Sequence, residues 1–79
     1  MTPEERSAID RIIGANIRRL RRARGVTQTR LGGFLSVSFQ QIQKYEKGST
    51  GISAANLARL AVALKCDLDE FFRSIEAQL

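Results

Sequence analysis

The chain has 79 residues, enough for one domain, 1–79, with a modest core. It is 43% hydrophobic with a single proline, which excludes a disordered chain, and no apolar run approaches the ~18–20 residues of a membrane span. Net charge is +5, with no histidine and one cysteine, which excludes a His-based metal site or triad, a zinc site and an intramolecular disulfide.

Thr2-Pro3-Glu4-Glu5 opens a helix: a Thr cap, Pro at the first helical position and Glu at the capping-box position. Ile9, Ile13, Ile17 and Leu20 follow at spacings of four, four and three, which is one helical face, and Ile12 widens it. The spacing predicts a helix over about 3–23, ended by Gly25. Gly14, inside it, marks a kink or a close contact. Arg18, Arg19, Arg21, Arg22 and Arg24 crowd the last turns, where positive charge suits the helix dipole. Most are expected in solvent, some of them on phosphate.

From Thr27 to Gly48 the chain reads as two short helices, about 28–35 and 39–47, joined by a tight turn at Leu35-Ser36-Val37. Thr27 and Ser38 are the caps. Val26 with Leu31, and Val37 with Ile42, are hydrophobic staples, and Ser38 with Gln41 fits a capping box. Gly32 and Gly33 each cost the first of these helices about 1 kcal/mol relative to Ala. Ser49 to Ile52 is a loop. Ser53 caps a helix over about 54–65, with an Ile52–Leu57 staple and a stripe of Leu57, Leu60, Ala61 and Leu64. Asp67 caps a last helix over about 68–78, with Glu70 in the box position and a Cys66–Phe71 staple. Cys66 reads as a buried thiol rather than a redox switch. Every segment is helical, so the expected fold is an all-α bundle of five helices.

Charge is unevenly spread. Seven of the eight acids lie in residues 1–10 or 67–79, whereas 11–65 holds eleven Lys/Arg and one acid, Glu46. A segment this basic suits nucleic acid. Ile42 and Tyr45 share one face of the second short helix. Phe39, Gln40, Gln43, Lys44 and Lys47 fall on the other. Gln can bond bidentately to adenine, Lys can donate to guanine, and an apolar side chain can touch the thymine methyl. Phe39, Gln40, Gln43 and Lys44 are therefore the candidate base contacts; the alternative for the two Gln is plain exposure, and for Phe39 packing on a neighbouring helix. Thr27 and Gln28 begin a helix whose free N–H groups can meet a phosphate. Arg21, Lys47, Ser49 and Thr50 complete the candidate phosphate contacts, unless Ser49 and Thr50 only shape the loop.

Thr27-Gln28, Leu31-Gly32, Val37-Ser38, Ile42 and Tyr45-Glu46-Lys47-Gly48 resemble the helix-turn-helix of the lambda-repressor/Cro-like, or XRE, family, and the resemblance extends over roughly Ile13 to Phe72. It implies a five-helix lambda-repressor-like domain binding double-stranded DNA, and a sequence-specific transcriptional regulator acting as a repressor. It implies an ion pair between Arg21 and Glu46 that ties the first helix to the third, and a small residue at Gly32. The chain departs from the family in having Ser36 where Gly is usual at the turn, and Gly33 where a better helix former is usual. An antitoxin-like or other protein-interaction module on the same fold is the alternative.

No catalytic constellation stands out, and neither a metal nor a cofactor is expected. The polar, acidic start MTPEERSAID carries no signal peptide, so a cytoplasmic protein of bacterial or phage origin is expected. The last helix has five large apolar residues. Leu68 and Phe71 are expected in the core. Phe72, Ile75 and Leu79 are left over, and suggest a homodimer interface on an inverted-repeat operator. Alternatively Phe72 and Ile75 fold back onto the first helix near Ile9 and Ile12.

Overall fold

The computed structural model describes every residue, Met1–Leu79. Four α-helices come first: α1 (Pro3–Ala23), α2 (Gln28–Leu35), α3 (Phe39–Lys47) and α4 (Ala54–Leu64). Two 3-10 turns, Leu68–Phe72 and Ile75–Gln78, complete the chain, and there is no strand.

Local chemistry sets the helix ends. Thr2 Oγ1 accepts from the Glu5 N–H and Glu5 Oε1 accepts from the Thr2 N–H, both at 3.1 Å, so the capping box is closed on both sides. Thr27, Ser38 and Ser53 each accept from the N–H three residues on. Such caps stabilise a helix by about 1 kcal/mol each. The four C-termini share one device. A residue with positive φ follows each helix: Gly25, Ser36, Gly48 and Lys65. The next N–H then returns to the carbonyl five residues back, as from Val26 to Arg21 and from Ser49 to Lys44.

The core collects Ile17 and Leu20 of α1, Leu31 and Leu35 of α2, Ile42 and Tyr45 of α3, Leu57, Leu60 and Leu64 of α4, and Phe71. Full burial of one such side chain is worth about 1.5–3 kcal/mol, which makes this cluster the main favourable term. Gly14 is a close contact, not a kink. A Cβ there would run into the carbonyls of Tyr45 and Glu46, so α1 and α3 meet backbone to backbone. Gly32 is similar: a Cβ would lie 2.6 Å from the Val37 carbonyl oxygen. Gly33 faces open space.

The C-terminal segment differs from the expectation of one helix over 68–78. Asp67 makes no capping bond, and the Glu70 carboxylate binds Arg19 and Arg73 instead. The helix breaks at Arg73, whose backbone is extended, and at Ser74, with φ 71°. The reason is Asn16, buried on α1. Its Nδ2 donates to the carbonyls of Phe71 at 3.0 Å and Arg73 at 2.9 Å. Phe71 is fully buried as expected, but Leu68, the first residue of the 3-10 turn, is exposed and not in the core. Phe72 is half-buried against the core, and the second turn lies on α1, where Gln78 shares a hollow with Ala8, Arg11, Ile12 and Ala15. No helix is long and apolar enough to cross a membrane.

Candidate nucleic-acid interface

Helix α3 is two-faced. Ile42 and Tyr45 are buried beneath it, while Phe39, Gln40 and Lys44 are exposed and Gln43 is half-buried. Its pose is set at the C-terminal end by Glu46, whose side chain is only 3% exposed. Glu46 Oε2 accepts from Arg21 Nε at 2.6 Å, and Oε1 accepts from Arg21 Nη2 at 3.1 Å and from Gln28 Nε2 at 3.0 Å. Three helices, α1, α2 and α3, therefore meet at one carboxylate. Arg21 Nη1 donates to the Val26 carbonyl at 2.9 Å, which also fixes the approach to α2. A buried pair costs desolvation, so its contribution is orientation more than net stability.

Arg21 was also a candidate for phosphate. Its guanidinium donates to Glu46 and Val26, and its side chain is 12% exposed, so these bonds within the fold occupy most of its donors. The Gln28 side chain is likewise committed to Glu46, but the Gln28 and Thr29 N–H groups at the start of α2 have no intrahelical partner and remain available to an anion. Lys47, the last residue of α3, and Ser49 and Thr50 just beyond it are exposed. With Glu46 neutralised from within, the cations Lys44 and Lys47 face outward beside no unpaired acid of their own segment. Arg18 and Arg22 line a shallow hollow with Arg19 on the outer side of α1.

Several side chains have partners that the local sequence did not indicate. Arg24 caps α4 from outside, with Nε donating to the Leu64 carbonyl at 2.7 Å and Nη2 to that of Lys65 at 3.0 Å. Arg59 does the same for α2, donating to the Phe34 carbonyl at 2.8 Å. Cations at helix C-termini are the recurrent signal here, though which helix each would serve is a tertiary matter. Gln41 does not close the box on Ser38. Its Nε2 donates to Thr50 Oγ1 at 3.2 Å, because the loop folds back within its reach. Burial pushes the Cys66 thiol up from its usual range, aided by Glu70, so it has little thiolate character.

A helix-turn-helix family model matches residues 17–71, which contain α2, the turn, α3 and their supports. The chain belongs to the XRE-type helix-turn-helix family. Within it, an uncharacterized HTH-type transcriptional regulator of Sinorhizobium fredii is 39% identical over 71 residues, covering 90% of this chain and 50% of that protein. The competence pilus inhibition repressor of Acinetobacter baylyi is 38% identical over 60 residues, covering 76% of this chain and 54% of that protein. The chain thus spans about half the length of the curated relatives it matches. The crystal structure of the restriction-modification controller protein C.AhdI from Aeromonas hydrophila superposes with a TM-score of 0.77 at 29% identity, covering 84% of this chain and 96% of that one. As an XRE-type domain the chain has one unusual joint: the turn residue Ser36 adopts φ 57° without being Gly. Left-handed backbone costs a residue with a Cβ roughly 1–2 kcal/mol, and Ser tolerates it in a turn between two capped helices.

Proposed function

We propose that this chain is the sequence-specific DNA-binding unit of a transcriptional repressor that acts as a homodimer on an inverted-repeat operator. The observation that carries this is α3: an exposed row of Phe39, Gln40 and Lys44, with Gln43 beside it, over a base held by Ile42, Tyr45 and the Glu46 carboxylate. A helix rigidly held below and polar above is what major-groove readout requires. Thr27, Gln28, Lys47, Ser49 and Thr50 supply phosphate contacts that set register without reading sequence. The relatives named as transcriptional regulators and as a repressor support the same reading.

The domain measures 33 × 23 × 20 Å, so two copies side by side can set equivalent helices a domain width apart. The operator reading requires a dimer that sets them about 34–36 Å apart, the separation of successive major grooves on one DNA face, and the longest extent of the domain, 33 Å, permits this. Band shifts at two salt concentrations test the reading. Binding that falls steeply with salt, and a Gln40→Ala variant that loses about 1–3 kcal/mol on the selected site but little on random DNA, is expected. Equal loss on both would remove Gln40 from the base contacts.

A protein-interaction role has one feature in its favour. Phe34 and Val62 are exposed, Val62 by 80%, and share a hollow of about 400 Å³ with Ala63, Arg59 and Lys65. Absence of salt-dependent DNA binding would turn the assignment that way.

A further inference from the structure

The loop between α3 and α4 contains no basic residue, although it directly follows the helix proposed to read DNA. It is nonetheless held at three points. Gly48 lies so close to Arg11 of α1 that a Cβ would sit 2.6 Å from the Arg11 Cα. Ile52 is half-buried against the core. Between them, the Gln41 side-chain amide donates to Thr50 Oγ1 at 3.2 Å. Gln41 is half-buried and Thr50 is exposed.

A hydroxyl has one proton to give and two lone pairs to receive with. The Gln41 N–H occupies one lone pair of Thr50. The Thr50 proton is therefore free to turn to another acceptor, and on this exposed loop that acceptor can come from outside the chain. A phosphate oxygen is an acceptor only, so an outward hydroxyl proton is the complementary group. A loop without cations can then still make a defined contact to a DNA backbone, provided the hydroxyl is oriented beforehand.

We propose that Gln41 is a positioning residue for DNA binding: it touches no base, and by donating to Thr50 Oγ1 it sets the loop and directs the Thr50 proton to a backbone phosphate. The role rests on the DNA-binding reading above. It divides the three Gln residues of α3, with Gln40 and Gln43 on the reading side and Gln41 bracing the loop. A carboxylate at position 41 would reverse the bond, because it can only accept. Thr50 would then donate inward, and a negative charge would stand near the phosphate.

Anisotropy titrations of wild type, Gln41→Met, Gln41→Glu, Thr50→Val, Thr50→Ser and the Gln41→Met/Thr50→Val double variant, on selected and random duplexes, test this. Gln41→Met and Thr50→Val should each weaken binding about fivefold on both duplexes, the size of one hydrogen bond, and the double variant should lose no more than either. Thr50→Ser should bind like wild type, and Gln41→Glu should bind worst. A readout that mere folding would not move is a duplex series with single methylphosphonates. Neutralising the contacted phosphate should weaken wild type more than Gln41→Met. Wild-type affinity in Gln41→Met, additive losses in the double variant, or equal loss in Thr50→Ser and Thr50→Val would each overturn the role while leaving DNA binding intact. A wild type without salt-dependent DNA binding would remove the underlying reading, and the role of Gln41 with it.

Discussion

Arg21 Nε donates to Glu46 Oε2 at 2.6 Å, joining two residues 25 positions apart, and Gln28 shares the same carboxylate. The carboxylate thus ties α1, α2 and α3 together at a point separate from the Leu35–Val37 turn. Removing one partner leaves a buried charge, so Arg21→Ala or Glu46→Ala should cost about 3 kcal/mol or more of stability. Thermal melting checks it: a domain of this size should lose more than about 10 °C. Glu46→Gln, which keeps two acceptor positions at most on one oxygen, should lose less. A Glu46→Ala variant that melts like wild type would show that the pair is dispensable.

The glycines should respond in opposite directions. Gly33→Ala should stabilise by up to about 1 kcal/mol, since the position is helical and open. Gly32→Ala and Gly14→Ala should destabilise, because each new methyl meets a backbone carbonyl that cannot move aside cheaply. Urea midpoints of the three variants give the signs directly.

Ser36 ends α2 at φ 57° and ψ 40°. Ser36→Gly should therefore raise stability by about 1 kcal/mol, without altering the fold. Lys65, at φ 53° after α4, should behave alike. A neutral result at Ser36 would mean that the gain in backbone freedom of the unfolded chain cancels the relief.

Asn16 holds the C-terminal segment through the carbonyls of Phe71 and Arg73. Asn16→Leu strips two acceptors of their partner at a buried site, and should cost about 2 kcal/mol. Hydrogen exchange should rise first in residues 68–79, and in α1 only with global unfolding. Uniform exchange along the chain would show that the segment does not depend on Asn16.

The homodimer is tested at its proposed interface. Leu79 is 86% exposed, while Phe72 and Ile75 are half-buried from their own side. Sedimentation at high micromolar concentration should give a dimer for wild type and a monomer for Ile75→Glu. A monomeric wild type would end the hypothesis for the free protein.

Helices α1 to α4 were legible because the chemistry that bounds them is local. Each cap, staple or left-handed stop is by itself a matter of about five neighbouring residues, so Thr2, Thr27, Ser38 and Ser53 could be placed from their neighbours alone. The exposed row on α3 was legible for the same reason, since Ile42 and Tyr45 declare the buried side. Resemblance supplied the pairing of Arg21 with Glu46, which no local pattern contains. Three matters were decided only in the folded chain. Asn16 takes carbonyls 55 and 57 residues away and breaks the last helix, despite a good capping sequence at Asp67. Gln41 prefers Thr50 to its own cap. Arg24 and Arg59 close helices other than their own. Each is a side chain whose partner is brought within reach by packing and not by its place in the sequence. Sequence alone determines the local caps; burial of the core determines which distant partner arrives.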